Sequence, residues 1–186
     1  MSYNSSSGYI VLIPEGYIQL LSRDEIDRRV AEMARQLADD LQDKPVTFVG
    51  ILDGALFFMT DLIRATALDA RIDFLRISSY HGGTSSGDLK LLNGNTWNVA
   101  GSHVVIVDDI LDTGKTLSFC IEHLYKQGAA DVRCVVLLCK DRQQEFVVKE
   151  PVIGFTIPDH FVIGYGLDLE GRYRHLREIY YMEKTD

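Results

Sequence analysis

A run of acidic and hydroxyl-bearing side chains follows one strongly apolar stretch of the chain. Four β-branched residues at 104–107 lead directly into Asp108 and Asp109, and a third carboxylate, Asp112, follows in the next turn. Residues 113–116, Thr-Gly-Lys-Thr, then begin a segment with helical spacing. Adjacent carboxylates accept hydrogen bonds from vicinal sugar hydroxyls and suit hydrated magnesium. Hydroxyls and free backbone N–H groups at a helix start suit phosphate. The segment therefore predicts a combined site for phosphate, sugar and magnesium.

Two known motifs that use the same residue types do not fit. A Walker A loop needs glycine five residues before Gly114, where the chain has Asp109. An EF-hand loop that began at Asp108 would need glycine sixth and glutamate twelfth, and these positions are Thr113 and Phe119. A strand end solvated only by its own acids is also disfavoured. Three carboxylates beside a phosphate-type turn are costly without a cation or hydrogen-bond donors.

The apolar stretch before the acids belongs to a pattern of alternating strands and helices. Residues 46–52, 104–107 and 132–138 are almost entirely apolar, as strands buried on both faces must be. Between the last two, apolar residues recur at helical spacing: Leu117, Cys120, Ile121 and Leu124. This βαβ pattern, in which Gly128 stops the helix, predicts an α/β fold with a mainly parallel central sheet flanked by helices. In such sheets, ligands gather at the carboxyl ends of the strands.

The remaining elements are predicted from capping signals and apolar runs. Ser22 and Glu25 form a capping box before a helix that ends at Lys44-Pro45. One face of this helix is apolar: Ile26, Val30, Met33, Leu37 and Leu41. A second helix is expected within residues 55–67. Further strands are expected at residues 71–78, 152–157, 161–163 and 178–182.

Length and composition favour one cytoplasmic domain over residues 1–186, with a flexible tail at residues 1–8. The apolar runs are too short to span a membrane, so no membrane association is expected. A net charge of -8 argues against a general nucleic-acid binder, which would be basic. The three cysteines, Cys120, Cys134 and Cys139, form no CxxC pair. We expect them to be reduced and buried, as in a cytosolic protein.

The acidic strand end and its turn resemble the phosphoribosyl pyrophosphate signature of type I phosphoribosyltransferases. Further patches between about Val46 and Tyr181 resemble the hypoxanthine-guanine branch of that family and occur in the same order. The resemblance implies the type I fold, in which a small hood from the chain ends covers the sheet. It also implies magnesium as the cofactor and a homodimer or homotetramer.

The resemblance implies roles for residues that bind the activated sugar. Asp108 and Asp109 match the ribose and magnesium acids, and residues 112–116 match the 5′-phosphate loop. That loop contains Asp112, Thr113, Gly114, Lys115 and Thr116. Leu52, Asp53 and Gly54 match the pyrophosphate loop, which in the family often contains a cis peptide bond. Arg174 matches an arginine that meets pyrophosphate, and Ser79 and Tyr80 match the start of a catalytic lid over the Gly- and Ser-rich residues 78–87.

Other matched residues surround the base. Asp112 matches the acid near N7 of the purine, and Lys140 matches the lysine that donates to O6. Phe161 matches the aromatic residue that stacks on the base, and Val162 matches its backbone clamp. Asp168 matches an acid near the base and a second magnesium.

Three positions depart from the family pattern. Asp53 stands where several relatives have a basic residue, so pyrophosphate contacts there are assigned to backbone donors of Asp53 and Gly54. Ser78 replaces a lysine at the start of the lid. His160, before Phe161, stands where a lysine occurs in relatives, and we expect it to affect base preference.

The resemblance implies a purine salvage enzyme that converts hypoxanthine or guanine and phosphoribosyl pyrophosphate to IMP or GMP and pyrophosphate. The alternative from another class is a regulatory domain of the same fold that senses phosphoribosyl pyrophosphate and binds nucleic acid. Asp112 and the acidic net charge favour the enzyme, because a sensor needs no proton acceptor. Lys140, with Phe161 and Asp168, favours 6-oxopurines over adenine, orotate or uracil. Preference among hypoxanthine, guanine and xanthine stays open.

Overall fold

The computed structural model describes residues 3–4, 11–79, 89–92, 98–143, 145 and 148–182. In chain order, the elements are β1 (Tyr3–Asn4), β2 (Val11–Leu12), β3 (Tyr17–Leu21), α1 (Arg23–Leu41), β4 (Val46–Leu52), α2 (Leu56–Thr66), β5 (Ala70–Ser79), β6 (Leu89–Leu91), β7 (His103–Leu111), α3 (Lys115–Lys126), β8 (Asp131–Lys140), β9 (Val152–Ile157), β10 (Val162–Ile163) and β11 (Ile179–Met182). None of these helices is long and apolar enough to cross a membrane.

The central sheet contains six strands in the order β6-β5-β4-β7-β8-β9. Strands β5, β4, β7, β8 and β9 run parallel, and β6 pairs antiparallel with β5 at one edge. This arrangement confirms the predicted α/β fold with a mainly parallel sheet. The carboxyl ends of β4, β5, β7 and β8 consequently meet at one edge, which brings together the predicted residues 52–54, 108–116 and Lys140.

The two faces of the sheet are covered by different helices. Val105 and Val107 of β7 pack in one apolar cluster with α1 and α2, whereas Val104 and Ile106 pack in another with α3. Alternate residues of a strand point to opposite faces, so a strand covered on both sides must be apolar throughout. This explains why β4, β7 and β8 have no alternating polar pattern.

Strand β7 is longer than predicted from its β-branched core. It extends from His103 to Leu111, so Asp108 and Asp109 lie within the strand, near its end, and do not follow it. Asp108 is paired with Val136 of β8. The prediction that both acids lie just past the strand was therefore wrong by a few residues, because pairing with β8 continues past the apolar run.

The predicted start of α1 and the predicted stop after α3 are confirmed, whereas α1 ends at Leu41, before the predicted Lys44-Pro45. Ser22 accepts a hydrogen bond from the backbone N–H of Glu25, whose carboxylate accepts one from the Ser22 N–H, which confirms the capping box. The predicted apolar face of α1 is fully buried. After α3, Gly128 has a φ of 85°, a left-handed conformation that favours glycine and ends the helix.

The chain ends form a second, three-stranded antiparallel sheet in the order β10-β11-β3. This sheet is the hood that the family resemblance implied. Strand β3 was not predicted, whereas β10 and β11 fall within predicted strands. Tyr3–Asn4 pairs with Val11–Leu12, while residues 1–2 and 5–10 lie outside the described residues, so the flexible tail stays a prediction.

All three cysteines are buried and form no disulfide, as predicted. Burial raises the pKa of the Cys120 thiol to about 12, with a smaller contribution from the charge of Asp108. The pKa of Cys134 is raised by burial in the same way. The reactive thiolate form is therefore suppressed at both positions, and both side chains act as apolar core groups.

Candidate active site

The acidic pair at the end of β7 is largely withdrawn from water. Asp108 is 7% exposed, and its carboxylate accepts a hydrogen bond from the Asp109 backbone N–H at 3.1 Å. Burial raises the pKa of Asp108 well above its usual range, and the neighbouring charge of Asp109 raises it further. Burial also raises the pKa of Asp109. Such a pair is stabilised in its ionised form by a cation or by hydroxyl donors.

The turn after β7 leads into the open end of α3. Gly114 precedes the helix with a φ of 82° and has no capping side chain, while the Lys115 N–H donates to Thr113 Oγ1 at 3.4 Å. A left-handed residue at this position favours glycine, which explains why the turn needs Gly114. Because the residue before the helix has no capping side chain, the backbone N–H groups of the first turn and the positive dipole end suit an anion. The structure thus places residues 112–116 and the acidic pair at the same edge.

The loop after β4 lies against the acidic pair. The peptide bond between Leu52 and Asp53 is cis, as the resemblance led us to expect. A Cβ added at Gly54 would lie 1.8 Å from Asp109 Oδ2. On the other side, a Cβ at Gly166 would lie 2.0 Å from the Gly54 carbonyl oxygen. The loop of residues 52–54 is therefore packed between the acidic pair and the loop that begins near Gly166.

Arg174 organises that last loop. Its Nη2 lies 2.7 Å from Asp168 Oδ1, and its Nη1 donates to the Gly166 carbonyl at 2.5 Å. Asp168 Oδ2 accepts a hydrogen bond from the Gly171 N–H at 2.7 Å. Although burial dominates and raises the pKa of Asp109, the charge of Arg174 opposes that rise. Arg174 therefore lies near enough to the acidic pair to act on it electrostatically.

A buried tyrosine, not identified from the sequence, fastens the same loop to the protein core. The Tyr165 hydroxyl donates to Asp61 Oδ2 of α2 at 2.7 Å. Burial raises the pKa of this hydroxyl, and the bond to the Asp61 carboxylate adds to the shift. Tyr165 also has a φ of 48°, which is uncommon for a residue other than glycine. The only sequence signal was a polar aromatic residue beside two glycines.

Four charged side chains lie together at the ends of β7 and β8. Lys140 Nζ is 2.8 Å from Asp159 Oδ1 and 3.7 Å from Asp112 Oδ2. Arg142 Nη1 is 3.1 Å from Asp112 Oδ1 and 3.4 Å from Asp159 Oδ2. Lys140 and Asp112 were predicted to share one site, whereas Arg142 and Asp159 were not identified from the sequence. Their position just beyond strand ends was the signal that could have found them.

Phe161 and Val162 follow Asp159 and are oriented differently. Phe161 is 53% exposed, although it is aromatic, whereas Val162 is buried in β10. Because Asp159 reaches Lys140, the segment carrying the exposed Phe161 ring begins beside the charged group. His160 stacks on Tyr181, with ring centroids 4.9 Å apart.

The predicted residues of the lid and the metal site are only partly described. Ser79 ends β5, where its backbone pairs with Leu89, but Tyr80 and residues 81–88 lie outside the described residues. Within the described part of the chain, no three or more His, Cys, Asp or Glu side chains form a group that could hold a metal. Asp168 is paired with Arg174.

Asp53, the acidic residue in the loop after β4, has a cationic partner. Arg76 Nη2 donates to Asp53 Oδ1 at 2.8 Å and to Oδ2 at 3.1 Å. Arg76 is paired with Leu52 in the parallel register of β4 and β5, which brings its side chain to the same edge. A positive charge on the neighbouring strand β5 therefore lies beside this loop.

A model of the phosphoribosyl transferase domain matches residues 17–170 of the chain. The chain belongs to the phosphoribosyltransferase family. The match contains the acidic pair, the open start of α3 and the charged group around Lys140. The fold of this phosphoribosyltransferase is therefore the one that the sequence resemblance implied.

Two named relatives and one solved structure show how far the similarity extends. The hypoxanthine-guanine phosphoribosyltransferase of Bacillus subtilis is 39% identical over 158 residues, which are 84% of this chain and 88% of that protein. The bifunctional protein TilS/HprT of Listeria innocua is 37% identical over 158 residues, 84% of this chain; the chain spans 24% of its length. The hypoxanthine phosphoribosyltransferase of Trypanosoma cruzi, solved in complex with the product IMP, has a TM-score of 0.83 and 33% identity. That alignment covers 93% of this chain and 98% of the other.

Proposed function

We propose that this phosphoribosyltransferase joins hypoxanthine or guanine to phosphoribosyl pyrophosphate and releases pyrophosphate, forming IMP or GMP for purine salvage. The proposal rests on one observation: a cationic donor, Lys140, and a carboxylate acceptor, Asp112, lie 3.7 Å apart beside the acidic pair. A 6-oxopurine presents an acceptor at O6 and a ring nitrogen that must lose a proton. The relatives named above support the same activity.

The activated sugar would be held by groups at the ends of β4 and β7. The 5′-phosphate would accept hydrogen bonds from the start of α3 and from Thr113 and Thr116. Asp108 and Asp109 would accept hydrogen bonds from the ribose hydroxyls. The pyrophosphate would lie at the 52–54 loop, whose backbone donors and the nearby Arg174 can bind its oxygens.

The acidic pair also fits magnesium. Two adjacent, largely buried carboxylates with raised pKa values need a cation, and magnesium prefers oxygen ligands. Because magnesium keeps several waters and uses phosphate oxygens as ligands, no larger group of protein ligands is required. Asp168 would face a second ion. When bound, magnesium supplies Lewis-acid neutralisation of the pyrophosphate charge.

The base would be held and deprotonated by residues around Lys140. The Lys140 ammonium donates to O6, the Phe161 ring stacks on the purine, and the Val162 backbone clamps its edge. A purine nitrogen then forms the bond to the anomeric carbon, the bond from that carbon to pyrophosphate breaks, and Asp112 accepts the proton that the base loses. The lid that begins at Ser79 and Tyr80 would exclude water from the activated sugar.

We infer three further properties from the family resemblance and the composition. The chain is a single cytoplasmic domain over residues 1–186, and it assembles as a homodimer or homotetramer. It binds neither membranes nor nucleic acid. The acidic net charge of -8 supports the last point.

The test is mononucleotide formation from hypoxanthine, guanine, xanthine and adenine, each with phosphoribosyl pyrophosphate and magnesium. We expect IMP and GMP to form, and adenine to be rejected by at least about 10³-fold in kcat/KM, because its amine faces a donor in Lys140. Lys140→Met should lower kcat/KM for hypoxanthine, by an amount that corresponds to a loss of about 2–4 kcal/mol in transition-state stabilisation. Binding of phosphoribosyl pyrophosphate without turnover of any base would instead favour the regulatory alternative.

A further inference from the structure

The charged group at the base end contains more residues than the proposed reaction uses. Asp112 and Lys140 have assigned roles there, whereas Arg142 and Asp159 have none. Two side chains are cationic and two are anionic, and all four are within 3.7 Å of an oppositely charged partner. They come from the turn after β7, the end of β8 and the loop between β9 and β10.

Lys140 needs a carboxylate partner because its side chain is only 16% exposed. Two carboxylates compete for it. Its Nζ lies 2.8 Å from Asp159, which is hydrogen-bond distance, and 3.7 Å from Asp112, which is not. Hydrogen bonding from Lys140 lowers the pKa of Asp159, with smaller contributions from Arg142. Asp159 therefore satisfies the ammonium and keeps it off Asp112.

Asp112 also has an oxygen without a hydrogen bond, the one that does not face Lys140. Its Oδ1 is shielded from solvent and accepts no hydrogen bond, although Arg142 Nη1 lies 3.1 Å away without hydrogen-bond alignment. The same Arg142 nitrogen donates to Asp159 Oδ2 at 3.4 Å. Arg142 thus offsets the repulsion between the two acids and holds Asp159 on its side of the group.

We propose that Asp159 is a positioning residue of the base site, which directs Lys140 toward the base and keeps Asp112 available as proton acceptor. This inference rests on the proposed function. An ammonium has three donors, so Lys140 can bind Asp159 and the O6 of the base together. Without Asp159, its one remaining carboxylate partner in the group is Asp112, whose oxygens would then be occupied.

The test variant is Asp159→Asn, which keeps the shape of the side chain and removes its charge. We expect kcat/KM for hypoxanthine to fall about 10- to 100-fold, the value of a hydrogen bond between charged groups. The Kd of phosphoribosyl pyrophosphate with magnesium, measured by calorimetry without base, should stay within about twofold, because that ligand does not contact Lys140. The matched control is Asp141→Asn, which removes the same charge from an exposed neighbour of Lys140 and should change neither constant by more than about twofold.

A double-mutant cycle separates this role from a general structural one. A Lys140→Met variant has no ammonium to position. Adding Asp159→Asn to it should therefore lower kcat/KM for hypoxanthine by less than about twofold. The proposal is overturned if Asp159→Asn has the same kcat/KM as the native enzyme. It is also overturned if Asp159→Asn lowers kcat/KM by the same factor in the Lys140→Met background as in the native protein. A native protein that forms no IMP from hypoxanthine would overturn the proposed function as well. An active native protein with an insensitive Asp159→Asn variant would overturn the positioning role alone.

Discussion

The close contact between Gly54 and Asp109 provides the sharpest test of the pyrophosphate loop. A Cβ at position 54 would lie 1.8 Å from Asp109 Oδ2 and 2.5 Å from its Cγ. Non-bonded Cβ atoms do not approach other heavy atoms more closely than 3.0 Å. In Gly54→Ala, either the Asp109 carboxylate or the loop must therefore move by more than about 1 Å.

The displacement has separate consequences for activity and for stability. A shift of about 1 Å in a group that positions a substrate costs about 100-fold, so kcat/KM for phosphoribosyl pyrophosphate should fall by that factor. Forcing one extra methyl group into a packed site costs about 1–3 kcal/mol of unfolding free energy. For a chain of this length, that loss lowers Tm by roughly 2–12 °C.

The control for Gly54→Ala is Gly101→Ala. Gly101 has a φ of 71° and no heavy atom within 4 Å of an added Cβ. In this variant, backbone strain alone should lower the unfolding free energy by about 1–2 kcal/mol, and the kinetic constants should equal those of the native protein. Both variants would be compared by thermal unfolding and by initial rates of IMP formation over a range of phosphoribosyl pyrophosphate concentrations. If Gly54→Ala stays within threefold of Gly101→Ala in kcat/KM, Asp109 does not bind the sugar in the way proposed.

Three other substitutions test separate groups of the site. Asp112→Asn should lower kcat about 10²- to 10⁴-fold and leave the Kd of phosphoribosyl pyrophosphate unchanged; near-normal turnover would contradict its role as proton acceptor. Because burial and then Asp109 raise the folded-state pKa of Asp108 above its unfolded value, ionisation of Asp108 destabilises the fold as pH rises through that pKa. Asp108→Asn should therefore raise the unfolding free energy of the metal-free protein by about 1–3 kcal/mol at pH 7–8, and this gain should shrink as the pH is lowered. An unchanged or lower Tm of the variant at pH 7–8 would refute the destabilising effect of the Asp108 charge. Arg76→Gln should raise the KM for phosphoribosyl pyrophosphate about three- to tenfold while Tm moves by less than about 2 °C, because its ion pair with Asp53 is half exposed; an unchanged KM would mean that Arg76 adds no charge to the loop.

The central sheet could be predicted because its strands have an unambiguous pattern. Strand β4 was predicted with its observed bounds, Val46–Leu52, and β9 with its bounds, Val152–Ile157. Strand β3 was missed, since Tyr17–Leu21 has neither a continuous apolar run nor strict alternation. Its strand conformation depends on pairing with β11 near the other end of the chain. Short-range patterns carry no information about such a distant partner.

The site likewise contains residues that one short segment of the sequence identifies and residues whose partners are distant in the sequence. The amino-acid sequence alone determined the carboxylates and the phosphate-type turn, because all of them lie within residues 108–116, at the end of one buried strand and in the turn after it. Tertiary structure decided the partners: Arg76 on Asp53, Tyr165 on Asp61, and Asp159 on Lys140. Tyr165 and Asp61 are 104 residues apart, and Arg76 and Asp53 are 23 apart. Such contacts depend on strand order and register, which bring side chains together only after the sheet has formed.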